Sequence, residues 1–491
     1  MLGQWRSHAQ YQDFVMQQLL AAPYKGALLE FENIIRKLYI LNLDYLKPIV
    51  FPLYSLIGRP SESQPEIFRA FVIAGHLGIP LDRLPCKLKH NFVLRTIAGF
   101  TQETLVGIAS YYDFINRIIQ LDERPRLKLK KRRPTAKIGK GKKLMPKNPG
   151  IVAKLVKRII DKDECFDRRP EKKLQEIFAG VAVRQSIELG IVASNLDISG
   201  DGTCIKTGAS HYGARVCKCH ENGNYKCDCS RRFSDPNATW GWDSRNNQWF
   251  YGYTGYFIST YNRNLKVDLP LYLRLVEASR HDSVSAVVAL SEFRKLYPGL
   301  TVNTFISDSA SDNYATYELL HHLGINAVIA LNPTNKDNHK YPKHLNINEN
   351  GVPICPGGNK MVLWGFCGKD RCRIKWRCPR VCNKNPENCV NCSPSNYGRT
   401  IYTKPEWDLR LFTAIPRGSL LWKQKMKSRT ASERVNNRIL HNYNIENSQT
   451  RSKKRISFFA AIAAFNIHLD ARIRTSTTTI SCGLLPISRT A

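Results

Sequence analysis

From Asn195 to Leu331 the chain alternates between two apolar periodicities, and this alternation limits the fold more than any other feature. LDISGD (196–201) is a short buried strand, and NQWFYGYTGYFIST (247–260) alternates aromatic with small or polar residues, as a strand does. LPLYLRLVEAS (269–279) is a third strand, VSAVVALSEFRKL (284–296) has helical spacing, and VNTFISD (302–308) is a strand ending on an aspartate. YATYELLHHLG (314–324) is a helix closed by Gly324, and INAVIAL (325–331) is another strand. Strands interleaved with helices predict an α/β fold, a mixed sheet flanked by helices. Reactive groups in such sheets project from strand ends.

With 491 residues the chain exceeds one compact core, so two to four domains are expected. Residues 1–123 are helical, with FRAFVIAGHLGI (68–79) and the stretch from Phe92 to Ile119 carrying helical spacing and Pro80 and Pro85 as breaks. Such an N-terminal helical domain suits DNA binding or dimerisation, or is a plain scaffold. Residues 124–150 form a basic linker, in which RPRLKLKKRRPTAKIGKGKKLMPK (124–147) holds twelve Lys or Arg and no acid. Lys130, Lys131, Arg132 and Arg133 are its expected phosphate contacts. A helical connector spans 151–194. The core occupies 195–331 and resumes at 406–474, where a helical run from about Trp422 to Glu446 precedes the apolar helix RISFFAAIAAFNIHLDAR (455–472). Between them, 332–405 is a Cys-rich insertion, and 475–491 is a frayed tail.

The 74 Lys+Arg against 40 Asp+Glu leave 74 − 40 = +34. A surface so charged repels itself unless it meets a polyanion, and nucleic acid is the expected one. No apolar run of about 18–20 residues is read, so no membrane partner is expected. MLGQWRSHAQYQDF has neither the apolar core nor the cleavage site of a secretory signal, and a cytoplasmic, nucleoid-associated protein is expected.

Three carboxylates draw the eye. Asp201 follows a strand, Asp308 ends one, and Glu433 lies among three arginines in SRTASERVNNRI (428–439). An aspartate at a strand end is most often a cap or turn residue. Asp312 is the expected N-cap of the helix near Tyr314, which leaves Asp308 without that role. Glu433 is either a surface ion pair or a metal ligand whose arginines face phosphates. Converging carboxylates repel one another unless cations lie between them. Two Mg²⁺ ions roughly 4 Å apart can clamp both oxygens of a phosphodiester under displacement. His281 and Asp282, in SRHDS, lie near this edge and read as structural, and His468 reads as a packed core histidine.

The set DISGDGT (197–203), SDSASDNYATYELL (307–320) and RTASERVNNRI (429–439) resembles the DDE transposases of bacterial insertion sequences. CSRRFSDPNATWGWDS (229–244), YGRTIYTKPEWDLRLFTAIPRGS (397–419) and FNIHLDAR (465–472) resemble a cysteine-bearing branch of that family. The resemblance implies a ribonuclease-H-like core, with Asp201 on its first strand, Asp308 after its fourth and Glu433 on a later helix. It implies two Mg²⁺ ions (Mn²⁺ substituting) held by Asp201, Asp308 and Glu433. The expected reaction cuts the terminal inverted repeats and transfers the 3′-OH ends to target DNA, with Arg429 and Arg438 on phosphates and a homodimer holding two ends. Met426 stands where the family pattern has tyrosine, and Leu440 where it has lysine. The rival expectations are an inactive protein that still binds DNA ends, and a ribonuclease-H-like repair nuclease.

Of 15 cysteines, four fall in 217–229 and seven in 355–392. Close pairs favour metal ligands over disulfides. CKCHENGNYKCDC (217–229), with His211 and His220 nearby, either closes a zinc site or is a set of reduced thiols. Zinc is expected first in the insertion, among Cys367, Cys372, Cys378, Cys382, Cys389 and Cys392, with Cys372, Cys378, Cys389 and Cys392 as the candidate ligands. A segment with few apolar residues needs some other source of stability. Trp376 there either stacks on a base or is a core residue.

Overall fold

The computed structural model describes residues 1–21, 26–131, 150–166, 168–332, 341–367, 371–383, 395–446 and 450–475. Six strands build one mixed sheet: β1 (Asn195–Lys206), β2 (Thr239–Asp243), β3 (Gln248–Asn262), β4 (Val267–Glu277), β5 (Thr301–Ser307) and β6 (Asn326–Ile329). β3 pairs antiparallel with β1 along one edge, and with β2 and then β4 along the other. β1, β5 and β6 run parallel. The parallel steps are crossed by α2 (Asp282–Leu296) and α3 (Tyr314–His322), numbered after α1 (Gln64–Leu77) of the N-terminal region. Three more helices follow: α4 (Leu420–Lys427), α5 (Thr430–Asn437) and α6 (Lys453–Thr475).

β1 runs past its expected end. Its parallel pairing with β5 stops at Ser199 and Ile306, but β3 continues to pair with it as far as Lys206. Asp201 therefore lies inside a strand, just beyond the point where the neighbouring strand ends. α5 meets β1 through Ser432, whose hydroxyl bonds that of Ser199, and through Asn436, which donates to Asp201 Oδ2 at 2.9 Å. α2 places Asp282 against Gly202. Successive strand residues point to opposite faces, so α5 and α2 cover opposite sides of β1 at the same place.

α6 is long and apolar enough to cross a membrane, which corrects the reading that no such run exists, but 83% of its apolar window is buried inside the fold. It packs between α1 and β4. Phe465 meets Phe68 edge-on at 5.1 Å, and Phe458 meets Phe71 at 4.6 Å. The N-terminal helices thus share one hydrophobic core with the sheet. Asn466, His468 and Arg472 of α6 are buried and bonded. His468 joins Ser186 Oγ at 2.9 Å to the Pro270 carbonyl at 2.7 Å, and burial pushes its pKa down to about 3. Arg472 donates to the carbonyls of Val181 and Ala182. Those two carbonyls belong to a π-helical turn, Phe178–Val183, whose widened backbone departs from the usual i to i−4 ladder.

In the insertion, Val362–Cys367, Arg373–Arg377 and Thr400–Thr403 form an antiparallel sheet. It has its own small apolar core of Cys355, Met361, Ile374, Trp376, Leu411 and Phe412. Trp376 is a core residue, bonded from Nε1 to Thr403 Oγ1 at 2.9 Å. The expected cap at Asp312 is replaced by Asn313, whose side chain accepts from Thr316 N. Asp312 is instead buried against Arg410 at 2.9 Å, tying the chain that returns from the insertion to the end of β5. Removing one partner of such a pair leaves a buried charge uncompensated. Arg410→Leu should lower the unfolding free energy by about 3–5 kcal/mol in urea titration.

Candidate functional site

Four carboxylates lie around the point where β1 outruns β5, close enough for their charges to act on Asp201, although no three of them bring their oxygens within 4.8 Å of one another. Asp201 comes from the middle of β1 and Asp308 from the residue after β5. Asp282 opens α2, and Glu433 lies in the first turn of α5. Burial, then the Asp308 charge, push the Asp201 carboxyl up to about 7; Asp282 and Glu433 add to the shift and Arg429 opposes it. Burial and Asp308 likewise raise Asp282, to about 6, against a smaller opposing contribution from His281. Asp308 also accepts from Ala310 N at 3.0 Å, capping the short turn Ser309–Ser311. Glu433 is half-exposed and paired with Arg429 one helical turn away. It is thus an ion-paired residue that is also close enough to add its charge to that of Asp201.

Sequence reading placed Asp282 near this edge in a structural role and gave the two glycines around Asp201 no role at all. A Cβ at Gly202 would stand 2.4 Å from Asp282 Oδ1, and one at Gly200 would stand 2.2 Å from Tyr256 Oη. Both distances are impossible for real atoms. The triplet Gly200-Asp201-Gly202 is therefore a gap in one face of the strand, into which Asp282 and Tyr256 advance. Tyr256 is fully buried, its hydroxyl makes no hydrogen bond among the described residues, and burial and the three aspartates hold its pKa far above the ordinary value. His281 is the N-cap of α2, its Nδ1 accepting from Ser283 N at 3.2 Å.

The expected phosphate contacts are partly engaged elsewhere. Arg438 donates to Asp470 at 2.8 Å. Lys131 donates to the carbonyls of Pro236 and Ala238 and to Tyr251 Oη, and burial, with Lys128 beside it, lowers its pKa to about 8. Lys130 is half-buried. Arg132 and Arg133 lie outside the described residues.

The thiols sort differently from the sequence expectation. Cys217, Cys219, Cys227 and Cys229 bring their sulfurs within 4.8 Å of one another, a set that can hold a metal ion such as zinc. It is the only group of three or more acidic, histidine or cysteine donors so close among the described residues. His211 is turned to other use, its ring packed on Trp240 at 4.6 Å. In the insertion Cys378 is buried and Cys372 exposed, and neither belongs to such a group; Cys389 and Cys392 lie outside the described residues. The insertion has a small apolar core of its own.

A raised carboxyl pKa has a definite sign. The unfolded chain ionises Asp201 near 3.8, whereas the folded chain keeps the proton up to about 7. Between those values the folded state binds more protons, so stability falls as pH rises through the window and the penalty is complete above about 7. Asp201→Asn should therefore stabilise the metal-free protein at pH 8 by an amount on the order of a few kcal/mol. Thermal unfolding in EDTA should show the gain shrinking to nothing below about pH 4; a gain independent of pH would refute the charge argument.

No protein-family model matches the chain, and no curated protein matches it.

Proposed function

We propose that the protein is a DNA transposase of the DDE type, which cuts the ends of an insertion sequence and joins the 3′-OH ends to target DNA. The observation that carries this reading is the half-buried Asp201, whose carboxyl is held near 7 by burial first and then by the charges of Asp308, Asp282 and Glu433. A fold gains nothing from such crowding, whereas a divalent cation among hard oxygen donors removes it. Asp201, Asp308 and Glu433 are the residues that would hold two Mg²⁺ ions, with Mn²⁺ as a substitute. Bound there, the ions supply positive charge for in-line displacement at a phosphodiester. The thiols are softer donors and suit zinc.

The strand order supports a ribonuclease-H-like core: a central strand bearing the first aspartate, antiparallel neighbours to one side and two parallel strands to the other. The chain's own residues then divide the work. Asn436 fixes one oxygen of Asp201, and the Ser199–Ser432 contact fixes α5 against β1. Arg429 orients Glu433. Asp282 acts on the other face as a positioning residue, pressing through the gap left by Gly202. The net charge of +34 supports duplex DNA as the partner, and holding two ends at once calls for a homodimer.

The test is cleavage of a labelled duplex carrying the terminal repeats that flank the coding region, with Mg²⁺. Wild type should cut at the repeat boundary. Glu433→Gln should bind the same DNA and cut none of it, while Asp282→Asn should cut about 10–100-fold more slowly. Equal cutting by wild type and Glu433→Gln would return the glutamate to a surface ion pair. Binding without cutting by any of the three would leave an end-binding protein instead.

A further inference from the structure

The segment from Ala214 to Ser230 has almost nothing to hold it. Cys227 is its only buried residue. Its chain folds back through single turn hydrogen bonds, such as Asn224 N to the Cys219 carbonyl at 2.9 Å. The strands around it are minimal: Ala214–Arg215, Arg231–Phe233 and, from the start of the basic run, Arg126–Lys128. Two- and three-residue strands without an apolar face of their own do not hold together in water.

The sulfurs are nevertheless ordered into two rungs, Cys217 to Cys227 at 3.6 Å and Cys219 to Cys229 at 3.5 Å. A disulfide would close to about 2.05 Å. Ligands around a tetrahedral zinc, at a Zn–S bond of about 2.3 Å, stand about 3.8 Å apart. The rungs therefore have nearly the length of tetrahedron edges. A second observation concerns charge. Arg231, two residues beyond Cys229, is only 6% exposed, its Nε is unbonded, and it has no acidic partner among the described residues. Lys128 and Arg215 share its register in the small sheet, which adds cations and no acid. An unpartnered buried arginine requires a nearby anion, and four thiolates around one divalent ion carry a net charge of −2.

We propose that Cys217, Cys219, Cys227 and Cys229 bind one zinc ion as a closed structural site, and that this ion holds the Arg231–Phe233 strand onto which the start of the basic run is paired. Binding is balanced by proton release: four thiols and Zn²⁺ give one tetrathiolate zinc and four protons, with no redox change. All four positions are filled by the protein, so the site leaves no place for water or substrate and takes no part in cutting. Its mechanical consequence reaches residues 126–131. Lys128 and Lys131 both donate to the Pro236 carbonyl, at 2.7 and 3.0 Å, so the strand that leaves the thiol cluster and the basic run are fastened together.

This inference is independent of the transposase reading, and its test uses the full chain without DNA. Elemental analysis should find one zinc per chain fewer in Cys227→Ser/Cys229→Ser than in wild type, and an unchanged content in Glu433→Gln. Wild type stripped of metal and titrated with Co²⁺ should develop the visible absorption of a tetrahedral cobalt thiolate, a readout that does not depend on how the double variant folds. Stripping should also speed hydrogen exchange of the amides at 126–128 and 231–233 at least tenfold, and zinc should restore the protection. Equal zinc in wild type and the double variant, or no cobalt band in wild type, would overturn the site. A cobalt band without any change in exchange would overturn the anchoring role.

Discussion

The middle of β1 lacks side chains on one face, and the rest of the molecule is arranged around that gap. Gly200 and Gly202 let Tyr256 and the first residue of α2 press against the backbone on one side. Ser199 and Asp201, pointing the other way, receive α5 through two side-chain contacts. Without the gap, Asp282 would be displaced by more than an ångström and α2 would tilt away from the sheet. With it, acids on β1, just after β5, at the start of α2 and on α5 come near one another about the two faces of β1, although Asp201 and Glu433 are 232 residues apart in sequence (433 − 201). A strand supplies the rigid floor and two helices the walls, so the positions are set by packed elements rather than by loops.

Much of this was legible in the sequence, and the failures have physical causes. The strands and helices from 195 to 331 could be read because burial of one or both faces leaves a periodic trace. The end of β1 could not, because its last residues are held by β3 alone and DGTCIK carries no apolar alternation. Asn313 and Asp312 are both good caps, and only the position of Arg410, far along the chain, decides that Asp312 is taken by an ion pair. Asp282 was given a structural role, but its partner could not be read, since nothing local reveals that Gly202 is across from it. The glycines flanking Asp201 were the available signal: a carboxylate between two glycines marks a close approach as much as a turn.

The cysteines teach the same lesson about distance. Zinc was expected first in the insertion, whose C-x2-C pair lies outside the described residues, whereas two C-x-C pairs looked poor by their spacing. Yet the two C-x-C pairs place four sulfurs as two rungs of a ladder, and the ladder supplies the tetrahedral edges that the local spacing does not. FNIHLDAR carries a histidine, an aspartate and an arginine in eight residues, and its His468 is the core residue that the sequence suggested. In the fold each is bonded inside the core: His468 to Ser186 and Pro270, Asp470 to Lys37 and Arg438, Arg472 to the π-helical turn. These residues let α6 serve as a buried strut while satisfying backbone groups that an all-apolar helix would leave unbonded.

The charge distribution then separates what folding explains from what it does not. Most buried ions here are matched, as Asp312 is by Arg410 and Asp470 by Lys37 and Arg438. The acids at β1 are different: Asp201 and Glu433 share the Arg429 cation and Asp282 has the weaker help of His281, in a chain whose net charge is +34. Cations are abundant on the chain, and a single lysine at position 282 or 308 would relieve the repulsion. Local self-repulsion kept against that background lowers the stability of the fold, which is the expected signature of residues retained for what they bind. On the proposed reading, the net charge of +34 would draw in a polyanion, while the acids would repel that same backbone until cations intervene. Both properties together are what a metal-dependent reaction on nucleic acid requires of a surface, and neither alone would be enough.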